Sequence, residues 1–461
     1  RYQRPPAPIA ATYPPEITPA AASGSEAAAD IEWRRFFVDP RLQSLIGLAL
    51  ANNRDLRIAV LSIEQARALY QVRRADVLPT IGVGATAARQ PGGAGIGTAY
   101  AAGLAITNYE LDLFGRVQNL SQAAQAQYFA SAETRKAAQL SLVAAVATTY
   151  FNLLADDELL RLTQQTLATR QESTRLTKLR FDYGATSELD YRQAESLLEG
   201  ARATLAQAMR QRAQDENALT LLVGQPLPPE LPAGLPLDQR QLSIDVPPGL
   251  PSELLRRRPD IRSAEQQLLA QNANIGAARA AFFPRISLTT TLGYASTQLG
   301  TLLSGGGTFA VTGTAQLLQP LFDFGRNRSN LELAEANRDI AVAQYEKSIQ
   351  SAFREVADAL AGRATLGEQL RAQTAQTEAL AVTYRLADLR YKAGAASYLD
   401  ALDAQRSLFT AQQGLLQVQA LELQNRVILY KVLGGGWKEG VDPVEPVIAP
   451  VAAPSPGAAS R

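Results

Sequence analysis

The chain repeats itself, and that limits its fold more than any single motif does. "RDLRIAVLSIEQARALYQVRRADVLPTIGV" (Arg54–Val83) is similar to "PDIRSAEQQLLAQNANIGAARAAFFPRISL" (Pro259–Leu288), pairing Asp55 with Asp260, Arg74 with Arg279 and Pro79 with Pro284 at an offset of 205. Further on, "LDLFGR" (Leu111–Arg116) matches "LFDFGR" (Leu321–Arg326), and "RFDYGATSELD" (Arg180–Asp190) matches "RYKAGAASYLD" (Arg390–Asp400), both at an offset of 210. The offset changes once, between Pro79 and Leu111, so one repeat carries a loop five residues longer there. The 461 residues are therefore two versions of one supersecondary unit.

The repeat also decides a membrane question. Ala137–Ala155 runs 19 residues without a charge, long enough for a spanning helix. Its counterpart contains Arg354, Glu355 and Asp358. Equivalent segments share an environment, and hydrocarbon does not suit that one.

Each repeat opens with a helical stretch, Asn52–Val77 or Pro259–Phe282, which Pro79 or Pro284 stops. Alternation follows. Ile286, Leu288, Thr290, Leu292 and Tyr294 share one face of a strand; Phe309, Val311, Gly313, Ala315 and Leu317 share one face of the next. Ile81, Val83, Ala85 and Ala87, then Tyr100, Ala102, Leu104 and Ile106, do the same in the first repeat. Hairpins are expected over 80–110 and 285–319, with strands of about ten nearly uncharged residues, the length of a tilted membrane strand. Two hairpins cannot close a membrane barrel, which needs at least eight strands. Either the hairpins are soluble or several chains share a barrel.

Long helical hairpins then run over 117–222 and 327–433, each first helix reaching about 100 Å at 1.5 Å per residue. Gly184 and Gly394 sit where a left-handed C′ residue is needed. Ser187 and Ser397 are N-caps, with Asp190 and Asp400 completing Ser-x-x-Asp boxes. Tips are thus expected at 184–187 and 394–397. Ala401, Ala404, Leu408, Ala411, Leu415 and Val418 keep a heptad spacing, a coiled-coil seam with close helix approach. The repeats span 31–224 and 252–436, joined by a crossover over 225–251 with eight prolines. Residues 1–30 read as an extended arm and 437–461 as a mobile tail. The opening at Arg1 rather than Met leads us to expect a removed or omitted upstream segment.

Nothing catalytic assembles. The chain has no Cys, no His and one Met, which removes thiol and imidazole catalysis, zinc fingers and soft-metal sites. "GGAGIG" (Gly92–Gly97) leads into a strand, not a helix, so it is no phosphate loop. A net charge of +1 provides no field for nucleic acid. We expect no enzyme, no cofactor and no metal.

The duplicated plan resembles the outer membrane factor family, the outer-membrane efflux proteins of TolC-like fold, and in particular the OprM-like channels of tripartite RND multidrug pumps. "YQRP" (Tyr2–Pro5), "ELDLFGR" (Glu110–Arg116), "EGARATLAQ" (Glu199–Gln207), "GAARAAFFP" (Gly276–Pro284), "LDAQRSLFTAQQ" (Leu402–Gln413) and "LGGGW" (Leu433–Trp437) carry the resemblance, which covers Tyr2 to Trp437. It implies a mainly helical homotrimer. Four strands per chain would build a shared twelve-stranded β-barrel in the bacterial outer membrane, and the long helices a periplasmic α-barrel. A mixed belt would include Trp33–Leu50 and the crossover.

It also implies partners: a periplasmic adaptor, an inner-membrane RND transporter and outer-membrane lipid, with an acyl anchor on a Cys upstream of Arg1. The tips Gly184, Ala185, Ser187, Gly394, Ala395 and Ser397 would recur sixfold and dock the adaptor. Leu399, Asp403 and Arg406, one stripe of the second return helix, match the positions that line the constriction in such channels. Alternatives on the same fold are a type I protein-secretion channel or metal efflux. A soluble coiled-coil scaffold is a third, but it leaves the uncharged strands unexplained.

Overall fold

The computed structural model describes residues 3–15, 27–92, 95–237, 241–243, 246–247 and 251–435. The expected tail from Trp437, parts of the arm and crossover, and the anchor lie outside them. In chain order the elements are α1 (Trp33–Phe36), α2 (Pro40–Asn52), α3 (Arg54–Ala75), β1 (Ile81–Gly92), β2 (Gly95–Leu111), α4 (Arg116–Asp182) and α5 (Glu188–Val223). There follow α6 (Pro251–Arg257), α7 (Pro259–Ala280), β3 (Arg285–Ser296), α8 (Leu299–Leu303), β4 (Thr308–Leu318), α9 (Arg326–Lys392) and α10 (Tyr398–Val432). The plan of hairpin, long helix, tip and return helix occurs twice. The connection between β3 and β4 is more than a glycine loop, since it includes the single helical turn α8. The end of the arm is a 3-10 turn at Ala28–Asp30.

The chain divides into two compact units. One comprises Arg1–Ala11, Arg57–Ala138 and Pro251–Arg354; the other comprises Thr12–Leu56, Gln139–Leu250 and Glu355–Arg461. In the first, an antiparallel sheet has the order β1-β2-β3-β4. Beside it, Ala123 and Ala126 of α4 bury against Ala270 of α7. Small side chains let those helices approach until Thr134 Oγ1 and Ser263 Oγ lie 2.9 Å apart. The arm is pinned here: Arg4 Nε donates to Glu265 Oε1 at 2.7 Å, and its Nη2 reaches Oε2 of the same carboxylate, a bidentate fork.

In the second unit, Asp39 organises the core. It is fully buried. Its Oδ1 caps α2 by accepting Arg41 N at 2.8 Å, while Oδ2 accepts Tyr150 Oη at 2.7 Å and Leu235 N at 3.0 Å. One carboxylate thus satisfies a helix start, a tyrosine on α4 and the crossover backbone. Burial and Asp39 together push the Tyr150 hydroxyl well above the usual tyrosine range. Val146, Ala147 and Phe151 are fully buried on the same stretch of α4. Leu140, Leu142, Val143 and Leu153 are buried as well, so the uncharged window is largely protein core.

The β2–β3 pairing brings Gly103 opposite Gly293. A Cβ on Gly293 would lie 2.1 Å from Ala102 O, and one on Gly103 2.3 Å from Leu292 O. The two backbones touch where any side chain would force them apart. Gly293→Val should therefore cost several-fold or more in folded, assembled protein, by overpacking worth about 1–3 kcal/mol. Gly82→Ala, where the added Cβ meets nothing within 4 Å, should not. The yield of intact oligomer after detergent extraction, read by light scattering, distinguishes the two; equal yields would show that the sheet relaxes around Gly293.

Candidate functional site

The register of the sheet sorts its side chains into rows. Val83, Leu104, Leu292 and Val311 lie side by side across all four strands, and in the next row of that face Ala85 and Ala102 lead to Tyr294 and Phe309. Val83 is 87% exposed and Val311 63%. Tyr294 and Phe309 meet edge to face at 5.8 Å. The opposite face carries Gly84, Gly103, Gly293 and Ala310 in one row and Gly82, Ala105, Thr291 and Thr312 in another. Large apolar groups face one way, small and hydroxyl groups the other. That is the alternation of a membrane barrel wall, with lipid outside and a lumen inside.

Charge lies towards the strand ends, Arg89 near the β1–β2 turn and Glu110 and Arg285 at the opposite end. Glu110, at the end of β2, accepts Arg116 Nη2 at 2.6 Å and Arg285 Nη2 at 2.8 Å. This three-membered cluster ties β2, β3 and the start of α4. β2 also bulges between Ile106 and Tyr109, where Asn108 takes φ 53° and its N–H donates to Thr289 Oγ1 at 3.1 Å.

Both helical tips form where expected, but only the second completes its capping box. In each, the two amides after the helix turn back onto the last carbonyls: Gly184 N to Phe181 O and Ala185 N to Arg180 O, then Gly394 N to Tyr391 O and Ala395 N to Arg390 O. Gly184 and Gly394 have φ 73° and 72°, which a β-carbon would penalise. Ser397 and Asp400 make the full reciprocal capping box. In the first tip Ser187 caps Asp190 N, and the Asp190 carboxylate accepts the Thr186 hydroxyl at 2.7 Å. The second repeat has Ala396 at the Thr186 position and so no hydroxyl to offer.

Leu399, Asp403 and Arg406 lie on the first turns of α10. Leu399 is 45% exposed, and the Asp403 and Arg406 side chains are exposed and joined by a 2.7 Å ion pair. The heptad seam faces inward instead, with Ala401, Ala404, Ala411 and Val418 buried. The stripe is thus separate from the packing face.

Sequence reasoning missed the contacts between the two helical hairpins. Arg180 Nη1 on α4 donates to Tyr391 Oη at 2.6 Å and lies 5.7 Å from the Tyr391 ring centre. Tyr398 Oη pairs with Ser173 Oγ at 2.7 Å, and Arg170 lies over Phe409 at 5.1 Å. Tyr398 and Leu402 pack with Ala194 of α5. The hydroxyls and guanidinia latch hairpin two onto hairpin one immediately beside the Leu399 stripe. The signal that could have found them is the pair Tyr391 and Tyr398, which flank the second tip.

Asp156 on α4 is unusual. Burial first, then the neighbouring Asp215 carboxyl of α5, push it up to about 7, against the pull of Arg212. Arg212 itself bridges Asp157 and Glu216.

Comparison with known proteins places this geometry. The profile of the family described as "Outer membrane efflux protein" matches residues 45–225 and 250–435. The probable efflux pump outer membrane protein TtgC of Pseudomonas putida is 47% identical over 449 residues, covering 95% of this chain and 92% of the relative. The antibiotic efflux pump outer membrane protein ArpC of Pseudomonas putida is also 47% identical, with the same coverage. The open state of the Neisseria gonorrhoeae MtrE outer membrane channel superposes with a TM-score of 0.85 at 42% identity, covering 95% of this chain and 98% of that one.

The Asp156 site yields a pH dependence. A carboxyl held up to about 7 in the folded state, against 3.8 unperturbed, keeps its proton on folding. The folded state then binds more protons than the unfolded one between those values, so this site's contribution to stability is full below about pH 4 and is lost as pH rises towards 7. Asp156→Asn removes that loss. Its melting temperature should exceed the parent's at pH 8 and converge with it at pH 4; parallel melting curves at all pH values would refute the assignment.

Proposed function

The chain belongs to the outer membrane efflux protein family, and we propose that it is the exit duct of a tripartite pump. It is an outer-membrane efflux channel with a periplasmic extension, on the fold of the trimeric TolC-like α/β-barrels. In our reading it passively conducts antibiotics and other small toxic compounds, received from an inner-membrane RND transporter through a periplasmic adaptor. The four-strand row Val83–Leu104–Leu292–Val311, backed by a Gly- and Thr-rich face, carries this reading. The similarity to ArpC, named for antibiotic efflux, supports the substrate class. The secretion-channel, metal-efflux and scaffold readings have no observation of their own in their favour. An acyl anchor upstream of Arg1 belongs to the same reading, and mass spectrometry of the mature N-terminal peptide decides it.

We assign the constriction to Leu399, Asp403 and Arg406. In a trimer, three Leu399 side chains form an apolar ring that narrows and dewets the duct, and three Asp403 carboxylates an acidic ring that favours cations. Arg406, already bonded to Asp403, supplies the counter-charge that lets those carboxylates crowd together. The ordinary alternative is an exposed helix pair worth about 0.3–0.5 kcal/mol and no gate. The latch of Arg180 and Ser173 to Tyr391 and Tyr398 holds the hairpin that carries the stripe. Opening the duct means breaking it. The tips Gly184–Ser187 and Gly394–Ser397 dock the adaptor in this scheme.

One set of variants tests gate and tips together in planar bilayers and in an efflux-deficient strain. Asp403→Ala should raise conductance several-fold and weaken cation selectivity, and Arg406→Ala should raise the open fraction. Gly394→Trp should leave conductance intact while drug export falls. If the two α10 variants conduct like the parent, the constriction lies elsewhere; if Gly394→Trp exports normally, the second tip is only a turn.

A further inference from the structure

The two hairpins share one geometry at the base of their strands. Tyr109 Oη of β2 donates to Val77 O, and at the matching place in the second repeat Gln319 Nε2, just past β4, donates to Phe282 O. Val77 and Phe282 are equivalent at the offset of 205, as Tyr109 and Gln319 are at 210. What happens at the base of one hairpin is thus a template for the other. Where β2 meets β3, Phe114 stacks on Phe283 with centroids 4.6 Å apart and planes 11° apart. Phe114 follows β2, and Phe283 precedes β3.

The equivalent of Phe114 is Phe324, following β4. Among the described residues β4 has β3 on one side and no strand on the other. Phe324 is wholly exposed, 103%, and its backbone is held at φ 53°, where a bulky side chain is an outlier. The turn that presents it is fixed, because the Asp323 carboxylate accepts Gly325 N at 3.0 Å and Asn327 N at 2.9 Å. At the other open edge, β1, the equivalent of Phe283 is Leu78, which is 69% exposed. A strained, rigidly held aromatic and an exposed leucine thus stand at the two open edges of the sheet, in the two positions that meet internally.

We propose that Phe324 of one copy seats on Leu78 of the partner subunit, so that the seam between copies repeats the β2–β3 junction inside the chain. The inference rests on the trimeric fold and assigns its contact at the base of the barrel. It also sets the chemistry of the seam apart. Pro320 stands where the internal junction has Glu110, and Thr80 where it has Arg285, so the ionic fork has no counterpart between copies. The internal junction is charged; the seam is apolar, and its closure is indifferent to salt.

The chain has no Cys, which makes the test direct. Phe324→Cys and Leu78→Cys are combined and treated in outer-membrane vesicles with a short bifunctional thiol reagent. Covalent dimers and trimers are expected on denaturing gels. The internal pair Phe114→Cys with Phe283→Cys should give only cross-linked monomer. A second arm uses Phe324→Trp, subtracting the parent's emission from Trp33 and Trp437, in bilayers with brominated acyl chains. A ring seated on protein stays unquenched. Absence of intermolecular cross-links in a trimer of verified mass, or quenching of the introduced indole, would overturn the seam and place the ring in lipid. Should the double variant fail to assemble, the indole arm decides alone. A parent that is not trimeric would defeat the duct reading itself and not merely the seam.

Discussion

Backbone hydrogen bonding at the sheet edges governs this molecule. β1 and β4 each expose a row of peptide groups, and the face they flank is the one that carries Val83, Leu292, Phe309 and Val311. In water such an edge invites aggregation. In hydrocarbon each unpaired peptide group costs several kcal/mol, so an open four-stranded sheet is not a membrane structure at all. Closure by further copies is the available solution. The duplication inside the chain makes that solution simple to specify, because a junction that works between β2 and β3 can be used again between β4 and the next β1.

The same economy extends to the helices. α4 and α9 both run 67 residues, and α5 and α10 return beside them after turns of nearly identical chemistry. The repeats then diverge at their tips. The second tip has the full capping box and the exposed Leu399, Asp403 and Arg406, whereas the first supplies Arg180 and Ser173 as anchors for Tyr391 and Tyr398. In the proposed gate the first hairpin would be the fixed jamb and the second the moving leaf. In the proposed trimeric gate the three stripe residues of each protomer would make nine around one axis, where modest pair energies add.

Much of this was legible in the sequence because it depends on local chemistry. The repeat offsets, the alternating strands, the left-handed glycines and the Ser caps all declare themselves within a few residues. Long-range contacts did not. Arg4 finds Glu265, Asp39 finds Tyr150 and Arg180 finds Tyr391, and in no case does spacing along the chain hint at the partner. The helical turn α8 carries too little pattern to be read from sequence, because its five residues include Gly300 and run into Gly305–Gly307. The expected Ser187–Asp190 capping box is only half made, because the Thr186 hydroxyl, one residue before the cap, takes the Asp190 carboxylate. The roles of the α10 stripe came from resemblance, and the structure contributes their exposure and their ion pair.

A single chain leaves β1 and β4 with open edges, so the fold is complete only in an assembly. Native mass spectrometry of the detergent-extracted protein, combined with circular dichroism across a dilution series, tests it most directly. One species at three times the 49.5 kDa chain mass, apart from any anchor, is expected, with strand signal and trimer mass lost together as the complex is dissociated. A monomer that retains its sheet in detergent would contradict it.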